Sequence, residues 1–210
     1  MNRSLIMKII ALNSADHYFN ECIALYTKEF PESICEPIDV FYNSFDLKRQ
    51  DFERYHFIAA YENDTLLGFT SFHLEVMYNI GYIVYLVVSE ESRGKNVARA
   101  LMNEAEIIMT ALCEQNGTTL NTIMLECEQD AAGNSPLESF YEKFGFYLYD
   151  INYHQPGLHN DAPVPMNLFV KNIINDSSPQ LAIEHMYRTK YILCNKIDSV
   201  VIEDLIQQMH

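Results

Sequence analysis

Arg93, Gly94, Lys95 and Asn96 stand where a polar run gives way to a long helical pattern, in SEESRGKNVARALMNEAEIIM from 89 to 109. A helix start presents backbone N–H groups without partners and a partial positive charge of about half a unit, so it binds phosphate where the backbone can be approached. Gly94 permits that approach and unusual dihedral angles, while Arg93 and Lys95 add charge. RGKNVA therefore reads as a phosphate-cradling turn. The same residues also fit an exposed polar cap.

The rest of the chain sharpens the contrast. Its formal net charge is -15, which argues against a general nucleic-acid binder and against anionic membranes. Yet Arg93, Lys95 and Arg99 gather three of only 14 basic residues into seven positions, the mark of a held anion. At 210 residues and 49% apolar composition the chain can bury a substantial core as one domain, or one domain plus an extension. Five cysteines, at 22, 35, 113, 127 and 194, form no CxxC pair and have no histidine at zinc spacing, so thiols in a reducing compartment are expected. The apolar N-terminal run is broken by Lys8, and no stretch has membrane-spanning length, so a cytoplasmic location is expected.

The elements that must position the turn follow from periodicity. Residues 5 to 12 read as a strand, 16 to 30 as an amphipathic helix, and 37 to 47 as a second short helix. Three stretches of β character, 56 to 62, 65 to 76 and 82 to 88, form an antiparallel meander, the first pair turning at Asn63 and Asp64. The helix from about 96 to 113, burying Val97, Ala100, Leu101, Ala105, Ile108 and Leu112, and the strand from 121 to 128 then imply a right-handed crossover and parallel pairing. Ser135, Pro136 and Glu138 carry the capping signals of a helix that Gly145 stops. Strands over 146 to 154 and 164 to 171 follow, then two helical segments.

At this point the sequence resembles the GNAT superfamily of acyl-CoA-dependent N-acyltransferases. In that family a strand runs into a (Q/R)xxGx(G/A) turn that opens a helix and binds the coenzyme A pyrophosphate. YLVVSEESRGKNVARALM matches it, with Arg93 and Ala98 in place and Asn96 where the motif has its first glycine. Asparagine tolerates left-handed backbone angles better than other residues with a side chain. A second match is NSPLESFYEKFGF, where Asn134 is followed seven positions later by Tyr141, then Gly145 and Phe146. The resemblance implies an α/β (α+β) GNAT fold with a mixed sheet of about seven strands over residues 1–171; beyond it, the apolar stripe of the helical extension over 172–210 is expected to pack on the domain or at a homodimer interface, an interaction arm being the other reading.

It also implies direct attack of an amine on the thioester of acetyl-CoA, with no metal. The cofactor-binding positions it carries over are the backbone of Leu86, Val87 and Val88, the turn residues Arg93, Gly94, Lys95 and Asn96, the helix start at Val97 and Ala98, and Asn134 with Tyr141. Val88 would offer an oxyanion-type N–H. Tyr141 is the implied general acid, though it also fits a core aromatic. Where some relatives have a glutamate base, Tyr82 stands, so Glu75, His73 and Glu126 are further candidates, each of which also fits a strand residue facing solvent. Glu29, Glu32 and Glu36, together with the loop of His154, His159 and Asp161, would face the acceptor, an amine of a small molecule or peptide. Three carboxylates there would suit a cationic amine such as a polyamine, an aminoglycoside or a lysine side chain, though they also fit a solvated loop. The competing reading is a degenerate acyl-CoA sensor or interaction module without turnover.

Overall fold

The computed structural model describes residues 7–30, 36–50, 55–158, 162–174 and 179–209, the side chains of 47–50 apart. Strand β1 (Lys8–Ala11) leads to helices α1 (His17–Glu29) and α2 (Ile38–Gln50). The meander follows as β2 (Tyr55–Glu62), β3 (Thr65–Glu75) and β4 (Ile80–Val88). A 3-10 turn (Glu90–Ser92) opens into α3 (Val97–Gln115), then β5 (Thr122–Glu128) and the short α4 (Glu138–Glu142). Strands β6 (Tyr147–Tyr149), β7 (His154–Gln155) and β8 (Val164–Asn172) complete the sheet. Helix α5 (Pro179–Met186), a π-helical stretch (Tyr187–Cys194) and α6 (Ser199–Gln208) close the chain.

Local signals explain most of these boundaries. The Asp16 carboxylate accepts from the N–H groups of Tyr18 and Phe19 and caps α1. Asn63 and Asp64 both take positive φ, 48° and 60°, the pair of left-handed residues that a tight hairpin turn requires. The sheet order is β1-β2-β3-β4-β5-β8-β6, with β7 on the start of β8, and every pairing is antiparallel except β4 with β5. One face packs against α3 and α4, the other against α1 and α2 at one end and the C-terminal helices at the other.

The departure that matters for function lies in β4. Its parallel pairing with β5 runs from Ile80 opposite Thr122 only to Ile83 opposite Leu125. Towards β3, Phe72 faces Ile83 but Ser71 faces Tyr85, so Val84 is an extra residue, a β-bulge. Because side chains alternate, one inserted residue exchanges the faces of everything beyond it. Ile83 and Leu86 therefore share the α3 face, and Tyr82 and Tyr85 the opposite one. Past the bulge β4 continues to Val88 beside β3 alone.

Several elements differ from the sequence expectation. The fourth helix is shorter than 135 to 144, because the Ser135 hydroxyl accepts from Leu137 N–H and donates to Cys127 Sγ, which leaves Leu137 at the N-cap. The strand expected over 146 to 154 is two, since residues 150–152 make no ladder pairing with β8 between them. The buried stripe of α3 includes Met102, Met109 and Cys113 in place of Ala100, Ile108 and Leu112. Close packing between β3 and β4 depends on Gly68, where a Cβ would sit 2.4 Å from the Val87 carbonyl oxygen. Neither atom can swing aside, so Gly68→Ala is expected to destabilise the fold by about 1–3 kcal/mol in urea unfolding.

Candidate active site

The turn between β4 and α3 has the conformation its residues favour. Gly94 sits at φ 79° and Asn96, the N-cap of α3, at φ 62°, ψ 17°. A Cβ on Gly94 would meet nothing within 4 Å, so the glycine answers to backbone conformation and open approach rather than packing. Asn96 makes no side-chain cap, so its side chain does not satisfy the N–H groups of the first α3 turn. Arg93 lies beside them, its guanidinium bonded to the Glu29 carboxylate from α1.

The open half of β4 adds a second set of donors. Ser89 N–H donates to the Leu67 carbonyl, so the antiparallel ladder turns Val87 towards β3 and projects the N–H and C=O groups of Leu86 and Val88 into the gap left by β5. Here a groove of about 730 Å³ runs along the strand end, lined by Leu86, Val87, Val88, the turn at Arg93, Gly94 and Asn96, and the first residues of α3. Its far wall is α4, with Phe140 and Tyr141, and the turn after it, with Phe144. Arg99 reaches over the Phe144 ring, its guanidinium carbon 5.1 Å from the centroid, a cation–π contact within the groove.

Through the same parting of strands lies a smaller cavity of about 280 Å³. Phe30, Leu86, Leu137 and Tyr141 line both spaces, so Tyr141 stands at their junction. Burial, with the neighbouring Cys127 second, holds its hydroxyl well above the ordinary tyrosine pKa, so it remains a proton donor at neutral pH.

The buried end of the cavity is ionic. Lys190 Nζ lies 3.2 Å from Glu36 Oε1 and 3.2 Å from Glu126 Oε1, and donates to the Tyr191 hydroxyl at 3.2 Å. Lys190 and Glu36 are each 3% exposed. The Glu126 carboxylate also accepts from the hydroxyls of Tyr153 and Tyr191, and Glu36 accepts from Asn195. Burial alone would depress Lys190, but the two carboxylates outweigh it and hold its pKa well above the usual value.

The candidate residues thus divide. Leu86, Val87, Val88, Arg93, Gly94 and Asn96 meet at the groove with Val97, Ala98 and Tyr141, while Lys95 is not among its lining. Asn134 stands apart in a turn closed on Asp130. Glu75 and Tyr82 line a minor space of about 10 Å³ with His73, away from the groove. Glu29 lines the groove and Glu36 the cavity; Glu32, His159 and Asp161 lie outside the described residues. His154 pairs with β8 and accepts at its carbonyl from Tyr187. Sequence reading singled out Arg99 as part of a basic cluster without giving it a place in the site, and it missed Phe144 and Lys190. Among the described residues no group of three or more His, Cys, Asp or Glu is arranged to hold a metal ion, and no helix is long and apolar enough to cross a membrane.

Comparison with known proteins bears on this arrangement. The family model described as Acetyltransferase (GNAT) family matches residues 19–146. No curated protein matches. Among solved structures, a putative GNAT-family acetyltransferase from Bacteroides thetaiotaomicron superposes with a TM-score of 0.64 at 18% identity, over 87% of this chain and 96% of that one. Naa50 from Arabidopsis thaliana in complex with a bisubstrate analogue gives 0.56 at 20% identity, over 80% and 99%. PaiA N-acetyltransferase from Thermoplasma acidophilum in complex with coenzyme A gives 0.52 at 19%, over 80% and 99%. At such identities the likeness is one of fold.

The ionic cluster yields a direct stability test. Tyr153→Phe removes a buried hydrogen bond to a carboxylate, so a loss of about 1.5–3 kcal/mol is expected in denaturant unfolding. Tyr147→Phe removes only an exposed bond from Asn172 and should stay within about 0.5 kcal/mol of the parent.

Proposed function

The chain belongs to the GNAT acetyltransferase family, whose model covers more than half of it, and from this we propose that it transfers an acetyl group from acetyl-CoA to a primary amine of a small molecule or peptide. The observation that carries the proposal is the meeting of groove and cavity at Tyr141, beside the open edge of β4. One space suits an extended phosphate-bearing molecule and the other an acceptor, with a proton donor between them.

The residues present fit the cofactor. Gly94 leaves a clear approach to the turn, the N–H groups of the α3 start and the Arg93 guanidinium suit a pyrophosphate, and the peptide groups of Leu86 and Val88 suit a pantetheine amide chain. Bound there, acetyl-CoA would supply the acetyl group as a thioester open to attack by an amine. The Val88 N–H, directed into the gap, is the donor available to a carbonyl oxygen gaining negative charge. The Tyr141 hydroxyl, protonated at neutral pH, would deliver its proton to the departing sulfur as general acid. Glu75 and Tyr82 do not face this junction, and the role of base is assigned to neither.

Two measurements test this reading. Calorimetric titration with acetyl-CoA should show binding that Arg93→Ala weakens by about tenfold, whereas Lys95→Ala, outside the groove, should leave it unchanged. No binding by the parent protein would overturn the cofactor assignment and favour an interaction module. Tyr141→Phe should lower kcat by about 100-fold or more with the acetyl-CoA Kd unchanged; full turnover in that variant would remove Tyr141 from the chemistry.

A further inference from the structure

Glu29 is the one carboxylate among the described residues that line the groove, where it stands with three cations, Arg93, Arg99 and Lys143. It does not line the cavity, so it belongs to the cofactor side of the opening and not, as its sequence position suggested, to the acceptor side. Its place is unfavourable on two counts. As the last residue of α1 it sits at the negative pole of that helix, where a carboxylate is disfavoured. It also borders the turn that would take the cofactor's phosphates, which a negative charge repels. Its side chain is nonetheless only 12% exposed, against 61% for the Arg93 side chain from which it accepts.

The contact occupies one corner of the guanidinium. Glu29 Oε2 accepts from Arg93 Nη2, which leaves the donors at Nε and Nη1 without a partner among the described residues. The five N–H donors of an arginine form a rigid planar fork, so fixing one corner limits the directions open to the rest. A long exposed arginine otherwise samples many rotamers, and ordering it when a ligand arrives subtracts from affinity. A second ion pair joins the end of α1 to the same turn, Lys28 Nζ lying 3.5 Å from Glu91 Oε1. Both of its side chains are largely exposed, so it contributes little.

We propose that Glu29 is a positioning residue for the cofactor: it holds the Arg93 guanidinium beside the turn before a ligand arrives and leaves its remaining donors to a pyrophosphate. The proposal deepens the transferase reading and rests on it. Orientation outweighs repulsion here, because the paired guanidinium offsets the Glu29 charge and salt screens an open groove.

Calorimetric titration with acetyl-CoA in a double-mutant cycle tests the coupling. Glu29→Ala should weaken binding about five- to tenfold, whereas Glu29→Gln, whose amide oxygen can still accept from Arg93, should stay within about threefold of the parent. On an Arg93→Ala background the Glu29→Ala change should no longer weaken binding, since no guanidinium remains to be held. Lys28→Ala breaks the other ion pair between α1 and the turn and should leave the Kd unaltered. Pantetheine, which lacks the pyrophosphate, should bind the parent and Glu29→Ala alike.

If Glu29→Ala does not fold, Glu29→Asp decides. It keeps the charge but draws the carboxylate back from Arg93 by one methylene, and it should weaken acetyl-CoA binding about threefold or more; an unchanged Kd overturns the inference. Tighter binding in a Glu29 variant would make the carboxylate a repulsive group and overturn it as well. So would additive losses in the cycle, or an equal loss in Lys28→Ala or for pantetheine, since Glu29 would then only secure α1. Absence of acetyl-CoA binding by the parent protein would instead remove the cofactor assignment itself.

Discussion

Strand β4 has partners on both sides only as far as Ile83, and the site depends on that loss. A strand inside a sheet has its peptide groups committed to its neighbours. One that parts from a neighbour while still held by the other offers a row of donors and acceptors at a fixed spacing. The bulge at Val84 coincides with the parting and turns Leu86 and Val88 onto the α3 face, where the groove runs. Groove and cavity are two sides of one opening between β4 and β5, and Tyr141 borders both because α4 crosses its mouth.

Charge works on two scales here. Across the surface a net -15 leaves little long-range attraction for a polyanion, and screening limits any single patch to about 8–10 Å at ordinary salt. An anion held at the α3 start, as proposed, would therefore be held by contact: helix-start N–H groups, Arg93 already oriented by Glu29, and Arg99 braced on Phe144. In the interior, an apolar trio would hold the corner of Glu36, Glu126 and Lys190 at least as well as the ions do. The ions tie the segment that carries Lys190 to both Glu36 before α2 and Glu126 on β5.

Much of this was legible in the sequence because it rests on local chemistry. Alternating apolar residues around Asn63 and Asp64 gave the meander. Asp16 marked the start of α1, and asparagine at 96 adopts the left-handed conformation that a side-chain-bearing residue there must take. The bulge was not legible, because one extra residue in IGYIVYLVV leaves the apolar run unbroken. Nor was the cavity's ionic end: in YRTKYILC a lysine at helical spacing reads as solvent-facing, and only the partners brought by two distant segments make it buried. Asn134 shows the reverse, a residue in motif register that the fold ties to Asp130 instead.

The two halves of the opening are also built from different lengths of chain. The groove draws on residues between Glu29 and Phe144, whereas the ionic end of the cavity joins Glu36 and Glu126 to a lysine 64 positions beyond the latter. During synthesis from the N-terminus, every residue that lines the groove has emerged before the lysine that finishes the cavity. Glu36 and Glu126 therefore have no counter-ion in the nascent chain until the segment that carries Lys190 has been made and placed against the sheet.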